Sequence, residues 1–314
     1  MPKKENKLVN RIKDRMLIGT LYDQMMLKCR YNDKKTRFLY GVMTGQKHRM
    51  IFYKRYKKRY LKKCTAERPW ENLPKNMNSN TVFVMWNQGI ENAPEIVKRC
   101  IESQRKFLPD KKFVFLDENN FKEYAVLPDF IMEKREAGLI GHAHFSDLVR
   151  NAILIKNGGY WIDSTVFLTD GAIFDDIDKL PLFMPSYYYF GFNPEIMELN
   201  NWLIHSSSNN NMLCLLQELL FAYWKDYDRA QNYFIYHIME SIVNDYYNEE
   251  FKAIPIVSQA QAHVLATYIY DKFDKDKFDM LKKTTGIHKL STRFDAERLT
   301  EGTFYDHLIR KENY

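Results

Sequence analysis

The sequence has 314 residues, of which 45% are hydrophobic and 15% aromatic, and this is enough apolar material for a large buried core. A disordered chain is thereby excluded. The four cysteines are too widely spaced for a CxxC pair, which argues against a disulfide scaffold or a cysteine zinc site and favours reduced thiols in a cytoplasm. No apolar run reaches the roughly 18 residues that span a bilayer, and the N-terminus lacks a signal-like apolar stretch. We therefore expect a protein that is neither integral to the membrane nor exported by that route.

The formal net charge of +7 is unevenly distributed along the chain. Residues 1–63 contain 20 Lys and Arg but only four acidic residues, whereas residues 64–314 contain 27 Lys and Arg against 36 acidic residues. This asymmetry predicts a polyanionic partner for the N-terminal segment alone. An anionic membrane surface is one candidate. Nucleic acid is the weaker candidate, because no helix-turn-helix, RNP or zinc-finger pattern accompanies the charge.

Two basic helices are predicted in this segment. Apolar residues recur at near-helical spacing over residues 8–25, a second helical pattern covers residues 50–63, and a turn is expected between them at residues 41–45. Tyrosines among lysines suit a lipid headgroup layer, since the ring is apolar and the hydroxyl stays hydrated. The alternative is that the helices pack an apolar stripe against the rest of the protein. The tyrosines concerned are Tyr53, Tyr56 and Tyr60.

After residue 75 short apolar runs alternate with helical patterns. The order strand, helix, strand, helix predicts a right-handed βαβ unit and a mostly parallel sheet. Ligands of such sheets bind at the carboxyl ends of the strands, here the residues that follow 85 and 116. The predicted elements are strands at 81–86 and 112–116, a loop at 87–92, a helix at 94–106 and a helix that starts at Phe121.

The most informative segment comprises residues 143–169. A helix is predicted over residues 145–156, ended by an Asn-Gly-Gly sequence, and a strand over residues 160–168. Asp147 and Arg150 are three residues apart and therefore share one face of that helix. The alternative for this pair is a helix-surface ion pair, which would contribute little to stability.

Asp163 falls within the apolar run of the predicted strand. An ionised carboxylate is costly in such surroundings unless a cation or strong hydrogen-bond donors meet it. A divalent metal that carries a diphosphate is the natural partner, with Ser164 or Thr165 as a further oxygen ligand. The alternative is a carboxylate that only caps the end of a strand.

Two further features are expected to be structural or are left open. Isolated histidines in helical or apolar surroundings are more often structural than ligands. The aromatic segment at residues 187–192 fits either a lid over an acceptor or a core strand. The histidines concerned are His205, His237 and His263.

These segments resemble a known family. The helix sequence SDLVRN, the Gly-Gly turn and the strand YWIDSTVF are similar to the donor-binding core of capsular-polysaccharide-synthesis glycosyltransferases, relatives of the sugar-transferring DXD enzymes of GT-A fold. The segments VMWNQGIENAPEIVKRCIESQRKF, NWLIHSSSNN, ELLFAYWKDY and NYFIYHIM extend the resemblance over about residues 80–290. It implies an α/β chain with a GT-A, Rossmann-like nucleotide-sugar-binding domain at residues 76–314 and a basic, helical, membrane-contacting extension at residues 1–75.

The resemblance also implies roles for individual residues. The wall against the nucleotide base and ribose would be formed by Trp86, Asn87, Gln88 and Gly89. Ribose and donor-sugar hydroxyls would be held by Ser146, Asp147 and Arg150, with Trp161 and Ser164 nearby. The metal ligands would be Asp163, Thr165, which stands where the family has a second aspartate, and His288. The catalytic set would be Asp147, Arg150, Asp163 and Lys289.

The function that the resemblance implies is that of a retaining, UDP-hexose-dependent glycosyltransferase of bacterial capsular or cell-surface polysaccharide synthesis. Galactose is the first expectation for the hexose and glucose the second. The expected acceptor is an undecaprenyl-diphosphate-linked saccharide, and the expected cofactor is Mn²⁺ or Mg²⁺. We expect a cytoplasmic protein attached peripherally to anionic lipids of the inner leaflet, with no nucleic-acid partner.

Two other classes of protein are kept as alternatives. A threonine hydroxyl is a poorer metal ligand than a carboxylate, so the first alternative is a non-catalytic, membrane-bound scaffold with a GT-A fold. The second is a basic nucleic-acid-binding protein, for which the N-terminal charge is the one supporting feature. Turnover of a UDP-sugar separates the enzyme from the scaffold, and binding of a UDP-sugar separates it from the nucleic-acid-binding protein.

Overall fold

A computed structural model of the chain describes residues 7–30, 33–77, 79–187 and 196–311. This part of the chain is α/β, with α-helices packed against a mixed central sheet. The strands are β1 (Thr81–Met85), β2 (Lys112–Leu116), β3 (Gly159–Ile162), β4 (Val166–Leu168), β5 (Leu182–Phe183), β6 (Leu203–Ser206) and β7 (Ile287–Lys289). The helices are α1 (Lys7–Lys13), α2 (Leu17–Cys29), α3 (Lys34–Tyr56), α4 (Lys62–Cys64), α5 (Glu95–Phe107), α6 (Asp129–Glu136), α7 (His142–Asn157), α8 (Phe174–Ile177), α9 (Asn211–Asp226), α10 (Ile235–Tyr246), α11 (Asn248–Lys252), α12 (Val264–Tyr268) and α13 (Lys275–Thr284).

The central sheet has the strand order β2-β1-β3-β6-β5. Strands β2, β1 and β3 run parallel, β6 is antiparallel to β3, and β5 is antiparallel to β6. The strands predicted at 81–86 and 112–116 and the helix between them are confirmed as β1, β2 and α5. Alternate residues of β1 enter two separate buried clusters, so both faces of the sheet are covered. A ligand therefore has access at the ends of the strands.

The strand predicted over residues 160–168 is in fact two strands in different sheets. β3 ends at Ile162, residues 163–165 turn, and β4 pairs antiparallel with β7 in a two-stranded sheet. The Val166 amide closes this turn by donating to the Asp163 carbonyl at 3.0 Å. The break cannot be predicted from the apolar pattern, because the strands on both sides of it are buried and apolar. Asp163 thus lies at the carboxyl end of β3, with its side chain 26% exposed, and not in the middle of a buried strand.

The helix predicted before this turn is confirmed as α7, and it ends at Asn157. Gly158 and Gly159 have φ angles of 65° and 88°, and a Cβ atom on Gly159 would lie 2.5 Å from the Thr81 carbonyl oxygen. Glycine is therefore required for the chain to enter β3 beside β1. The helix predicted from Phe121 is wrong, since the structure has a single 3₁₀ turn there before α6.

The N-terminal segment departs from its predicted form in two places. The helix predicted over residues 8–25 is broken into α1 and α2 at Arg15, whose φ is +56°. The turn predicted at residues 41–45 is wrong, because α3 runs through it and continues through a π-helical turn, Lys57–Leu61, into α4. Packing of α3 on α10 and of the π-helical turn on α9 supports this long helix despite its glycines.

Two of the three tyrosines predicted to face lipid are instead packed against the rest of the protein. Tyr56 and Tyr60 are buried, and Tyr56 stacks on Phe52 and meets Tyr223 edge-on, with ring centroids 5.7 and 5.4 Å apart. Tyr53 is half-buried. The alternative of an apolar stripe packed on the protein body is therefore confirmed for this helix.

Within the described ranges, no helix combines the length and the hydrophobicity that crossing a bilayer requires. The aromatic segment 187–192, predicted as a lid or a core strand, lies outside the described residues apart from Tyr187.

Tyr56→Ala should unfold at a lower urea concentration than the parent protein. The substitution empties a fully buried site and removes the hydroxyl that donates to Gln231 Oε1 at 2.6 Å. We expect the free energy of unfolding to fall by about 3–5 kcal/mol. Tyr22→Ala is the control, because Tyr22 is 52% exposed, and it should cost no more than about 0.5 kcal/mol. Equal effects of the two substitutions would contradict the packing of α3 on the protein body.

Candidate functional site

A cavity of about 480 Å³ lies at the carboxyl ends of β1 and β3. The loop after β1 forms one wall, α7 forms a second, and the chain after β7 contributes Thr292 and Arg293. Parallel strands of α/β sheets bind their ligands at this edge. The predicted site residues that line the cavity are Trp86, Asn87, Gln88, Ser146, Asp147, Arg150, Trp161, Asp163, Ser164 and Thr165.

One residue predicted for the base and ribose wall, Gly89, lies outside this cavity. It lines a neighbouring cavity with Asp117, which follows β2. The φ of Gly89 is +81°, a conformation that favours glycine. The backbone conformation of the loop therefore explains why this residue is glycine. Its contact with a nucleotide stays a prediction.

Arg150 is the centre of a charged cluster. Its guanidinium lies 3.4 Å from Asp147 Oδ1 through Nη2 and 3.4 Å from Asp163 Oδ1 through Nη1, and its side chain is only 8% exposed. Nη2 also donates to Ser146 Oγ at 3.2 Å, and the guanidinium carbon lies 4.9 Å from the Trp161 ring centroid. The spacing along α7 brings Ser146, Asp147 and Arg150 to one face. A planar guanidinium can serve both carboxylates at once.

Burial governs the ionisation of Asp147. Its Oδ1 accepts a hydrogen bond from Asn201 Nδ2 at 2.9 Å. Loss of hydration nevertheless outweighs this bond and the nearby Arg150, and with the negative charge of Asp163 it raises the pKa of Asp147 to about 6. This carboxyl group can therefore gain or lose a proton close to neutral pH.

The pairing of β4 with β7 brings Lys289 to the same cluster. Lys289 stands opposite Val166 in the ladder. Its Nζ donates to Thr165 Oγ1 at 2.5 Å and lies 3.4 Å from Asp163 Oδ2. Asp163 is thus flanked by two cations, the Arg150 guanidinium on one oxygen and the Lys289 ammonium on the other.

His288 does not reach the cavity, although the sequence predicts it as a metal ligand. Neighbouring residues of a strand face opposite sides, so His288 points into the core when Lys289 points toward Asp163. His288 is fully buried, and its Nε2 lies 2.9 Å from Thr169 Oγ1. Burial lowers its pKa to about 4, which keeps the imidazole neutral. We therefore leave His288 out of the proposed site.

The oxygen donors that the sequence assigns to a metal fit a divalent ion poorly. Asp163 is the carboxylate of this set, and each of its oxygens already faces a cationic side chain. Thr165 Oγ1 accepts a hydrogen bond from one of those cations, Lys289. Across the described part of the chain, no three His, Cys, Asp or Glu side chains are grouped so that they could hold a metal ion. These residues form an ion-pair network rather than a preformed metal cage.

The cavity is also lined by several residues for which the sequence predicts no ligand-binding role. His237 on α10, predicted to be structural, lines it, and neither of its ring nitrogens has a hydrogen-bond partner among the described residues. Burial lowers the pKa of His237 to about 3, so the ring is neutral. No local sequence pattern marks it, since its place depends on the packing of α10 against α9. The unassigned lining residues include His142, His144, Asn201, Tyr233, His237, Thr292 and Arg293.

A family model described as capsular polysaccharide synthesis protein matches residues 33–308. The chain belongs to this family. Membership indicates a role in capsular polysaccharide synthesis. The matched region is longer than the resemblance found in the sequence, and it includes α3 and α4. A search of the curated proteins gives no match.

In this capsular polysaccharide synthesis protein, Asp147→Asn should change how folding stability depends on pH. A carboxylate whose pKa rises on folding destabilises the native state as the pH rises above the ordinary value of 3.8, and the cost is complete above about 6. The amide carries no such cost. The variant should therefore gain stability relative to the parent between about pH 4 and about pH 8, by up to roughly 3 kcal/mol.

Urea unfolding across this pH range measures the difference. Asp110→Asn is the control, because Asp110 is exposed, and it should show no pH-dependent gain. A constant difference between the parent and Asp147→Asn at every pH would contradict the raised pKa.

Proposed function

We propose that the protein is a glycosyltransferase that transfers a hexose from a UDP-sugar to a lipid-diphosphate-linked saccharide in capsular or cell-surface polysaccharide synthesis. The proposal rests on a row of side chains with alternating charge at the carboxyl edge of the sheet: Asp147, Arg150, Asp163 and Lys289. Fixed cations beside a cavity of about 480 Å³ suit a nucleoside diphosphate. Membership of the family supports polysaccharide synthesis as the process. The GT-A arrangement of residues 76–314 is part of the proposal.

The loop after β1 is the proposed nucleotide wall. Trp86 offers an aromatic face to the uracil ring, and Gln88 offers a polar side chain beside it. Asn87 is held in place because its Nδ2 lies 2.7 Å from His142 Nδ1. The diphosphate would then extend toward Arg150, which lines the cavity, and toward Lys289, which contacts the lining residues Asp163 and Thr165, since charge-assisted hydrogen bonds to phosphate are strong.

The hexose site that we propose lies beside Arg150, on the side of Asp147. Asp147 and Asn201 offer a carboxyl group and an amide there, both suited to sugar hydroxyls, and the neutral ring of His237 lines the same cavity. Galactose is our first proposal for the hexose and glucose the second. The acceptor that we propose is an undecaprenyl-diphosphate-linked saccharide.

We propose transfer with retention at the anomeric carbon. In that reaction the leaving diphosphate can itself take the acceptor proton on the same face of the sugar, so a carboxylate nucleophile is not required. The protein would act by positioning both substrates and by neutralising charge with Arg150 and Lys289. Dependence on Mn²⁺ or Mg²⁺ stays a prediction from the sequence, and none of these roles needs it.

The test is a panel of UDP- and GDP-hexoses, with release of the nucleoside diphosphate measured with and without Mn²⁺. We expect release from UDP-galactose or UDP-glucose. Arg150→Lys should reduce it by roughly 100-fold, because lysine keeps the charge but cannot serve two carboxylates through one planar group. Arg37→Lys, at an exposed position, is the matched control and should turn over like the parent. No release from any donor would favour the non-catalytic scaffold.

We also propose that α1, α2 and α3 bind an anionic membrane surface. On α2, Ile18, Leu21, Tyr22 and Met25 are exposed at helical spacing, and on α3 the exposed apolar residues are Phe38, Leu39, Val42 and Met43. Each set forms one apolar stripe on its helix. Apolar stripes on basic helices are typical of segments that lie in the lipid interface.

The acidic side chains of these helices do little to offset their positive charge. Asp14 is buried in an ion pair with Arg229 at 2.6 Å, and Asp23 lies 3.5 Å from Lys47. Exposed basic side chains on or beside these helices include Lys13, Lys28, Arg30 and Arg37. By contrast, Lys57 and Arg59 join the helix to the protein body through Asp245 and Asp226, so the tyrosine-containing end is not the proposed lipid contact.

Replacement of Ile18, Phe38 and Met43 together by Ser should weaken sedimentation with phosphatidylglycerol vesicles by at least about 10-fold, because their apolar side chains no longer enter the interface. These side chains are 85%, 70% and 70% exposed, so the fold should be preserved. The matched control replaces three exposed apolar residues elsewhere, Val126, Ile256 and Met280. Binding of the parent should fall with salt. Equal binding by both triple variants would place the contact elsewhere.

A further inference from the structure

The ammonium group of Lys289 lies where the sequence leads us to expect a metal ion. Its Nζ donates to Thr165 Oγ1 at 2.5 Å and lies 3.4 Å from Asp163 Oδ2 and 3.5 Å from the carbonyl oxygen of Leu290. A hydroxyl, a carboxylate and a backbone carbonyl are the oxygen donors that hold hard cations in proteins. Here they surround the charged end of one of the protein's own side chains.

Backbone pairing holds Lys289 in this position. It stands opposite Val166 in the β4–β7 ladder, and the amide of the next residue, Leu290, donates to the Thr165 carbonyl at 2.9 Å. Thr165 is therefore joined to the lysine-bearing strand through both its backbone and its hydroxyl. The Lys289 side chain is 17% exposed, and it contacts two residues that line the cavity, Asp163 and Thr165.

We infer that the Lys289 ammonium occupies the place of a metal ion in the donor site. Together with Arg150, it would bind the diphosphate as a divalent ion does in other enzymes of this kind. This inference rests on the proposed function. In the transfer, the bond between C1 of the hexose and the β-phosphate oxygen breaks, and its electron pair stays on that oxygen. The acceptor oxygen forms the new bond to C1, and its proton goes to the leaving diphosphate. Fixed cations stabilise the negative charge that develops there.

The balance of charge explains why the site favours the Lys289 ammonium over a divalent ion. Arg150 faces one oxygen of Asp163 and Lys289 faces the other. A divalent ion would have to displace Lys289 and remain close to Arg150, at a repulsive cost. Thr165 in place of a second aspartate agrees with this arrangement. An ammonium needs an oxygen acceptor at that position, whereas a dication would favour a second negative charge.

The test is UDP binding to the full-length protein, measured by calorimetry in excess EDTA and, separately, with Mn²⁺. The parent should bind UDP equally in both. Lys289→Ala should bind about 10-fold more weakly in EDTA, and Mn²⁺ should restore binding because Asp163 and Thr165 are then free to hold it. Lys289→Arg keeps the charge and should bind UDP in EDTA more tightly than Lys289→Ala. Lys179→Ala is the control, because Lys179 is 72% exposed.

The outcomes separate this inference from the function on which it rests. Loss of UDP binding by the parent in EDTA, with binding in Mn²⁺, would overturn the inference and leave the donor class intact. Equal binding by the parent and Lys289→Ala in EDTA would also overturn it. Failure of the parent to bind UDP under both conditions would overturn the proposed function as well. If Lys289→Ala does not fold, Lys289→Met, which keeps the side-chain volume, takes its place in the same comparison.

Discussion

The arrangement of the site depends on one buried guanidinium that is shared by two carboxylates. Arg150 joins α7 to the end of β3 through Asp163, and Asp163 in turn meets Lys289 from β7. Loss of Arg150 would leave two carboxylates without their common partner, a costly arrangement for partly buried charges. Arg150 therefore serves two carboxylates in different surroundings, because burial raises the pKa of Asp147 whereas Asp163 lies between two cations.

The N-terminal helices combine two roles that composition alone does not separate. One part of the segment is structural, since Tyr56 and Tyr60 are buried and Lys57 is paired with Asp245. Another part exposes apolar side chains such as Ile18 and Phe38 among basic residues. Aromatic and basic residues occur in both parts. The packing of α3 against α10, and of the following π-helical turn against α9, determines which of these residues face the protein.

Features that depend on local residue spacing can be predicted from the sequence. Features that depend on strand register or on packing between distant segments cannot. Strands β1 and β2 and helices α5 and α7 follow from apolar periodicity and turn residues. The break at Asp163 does not, because β3 and β4 are both buried and the apolar run continues across it. Side chains alternate along a strand, so the register of β7 determines that Lys289, and not its neighbour His288, meets Asp163. His237 and Arg293 come from segments distant in sequence, so no local pattern could place them in the cavity.

A crystal structure of the complex with UDP would test the central claim most directly. The account predicts that the β-phosphate lies between the Arg150 guanidinium and the Lys289 ammonium, within hydrogen-bond distance of both. It also predicts the uracil ring against Trp86. A diphosphate bound instead in the neighbouring cavity, where Lys98 and Arg105 are the available cations, would contradict the account.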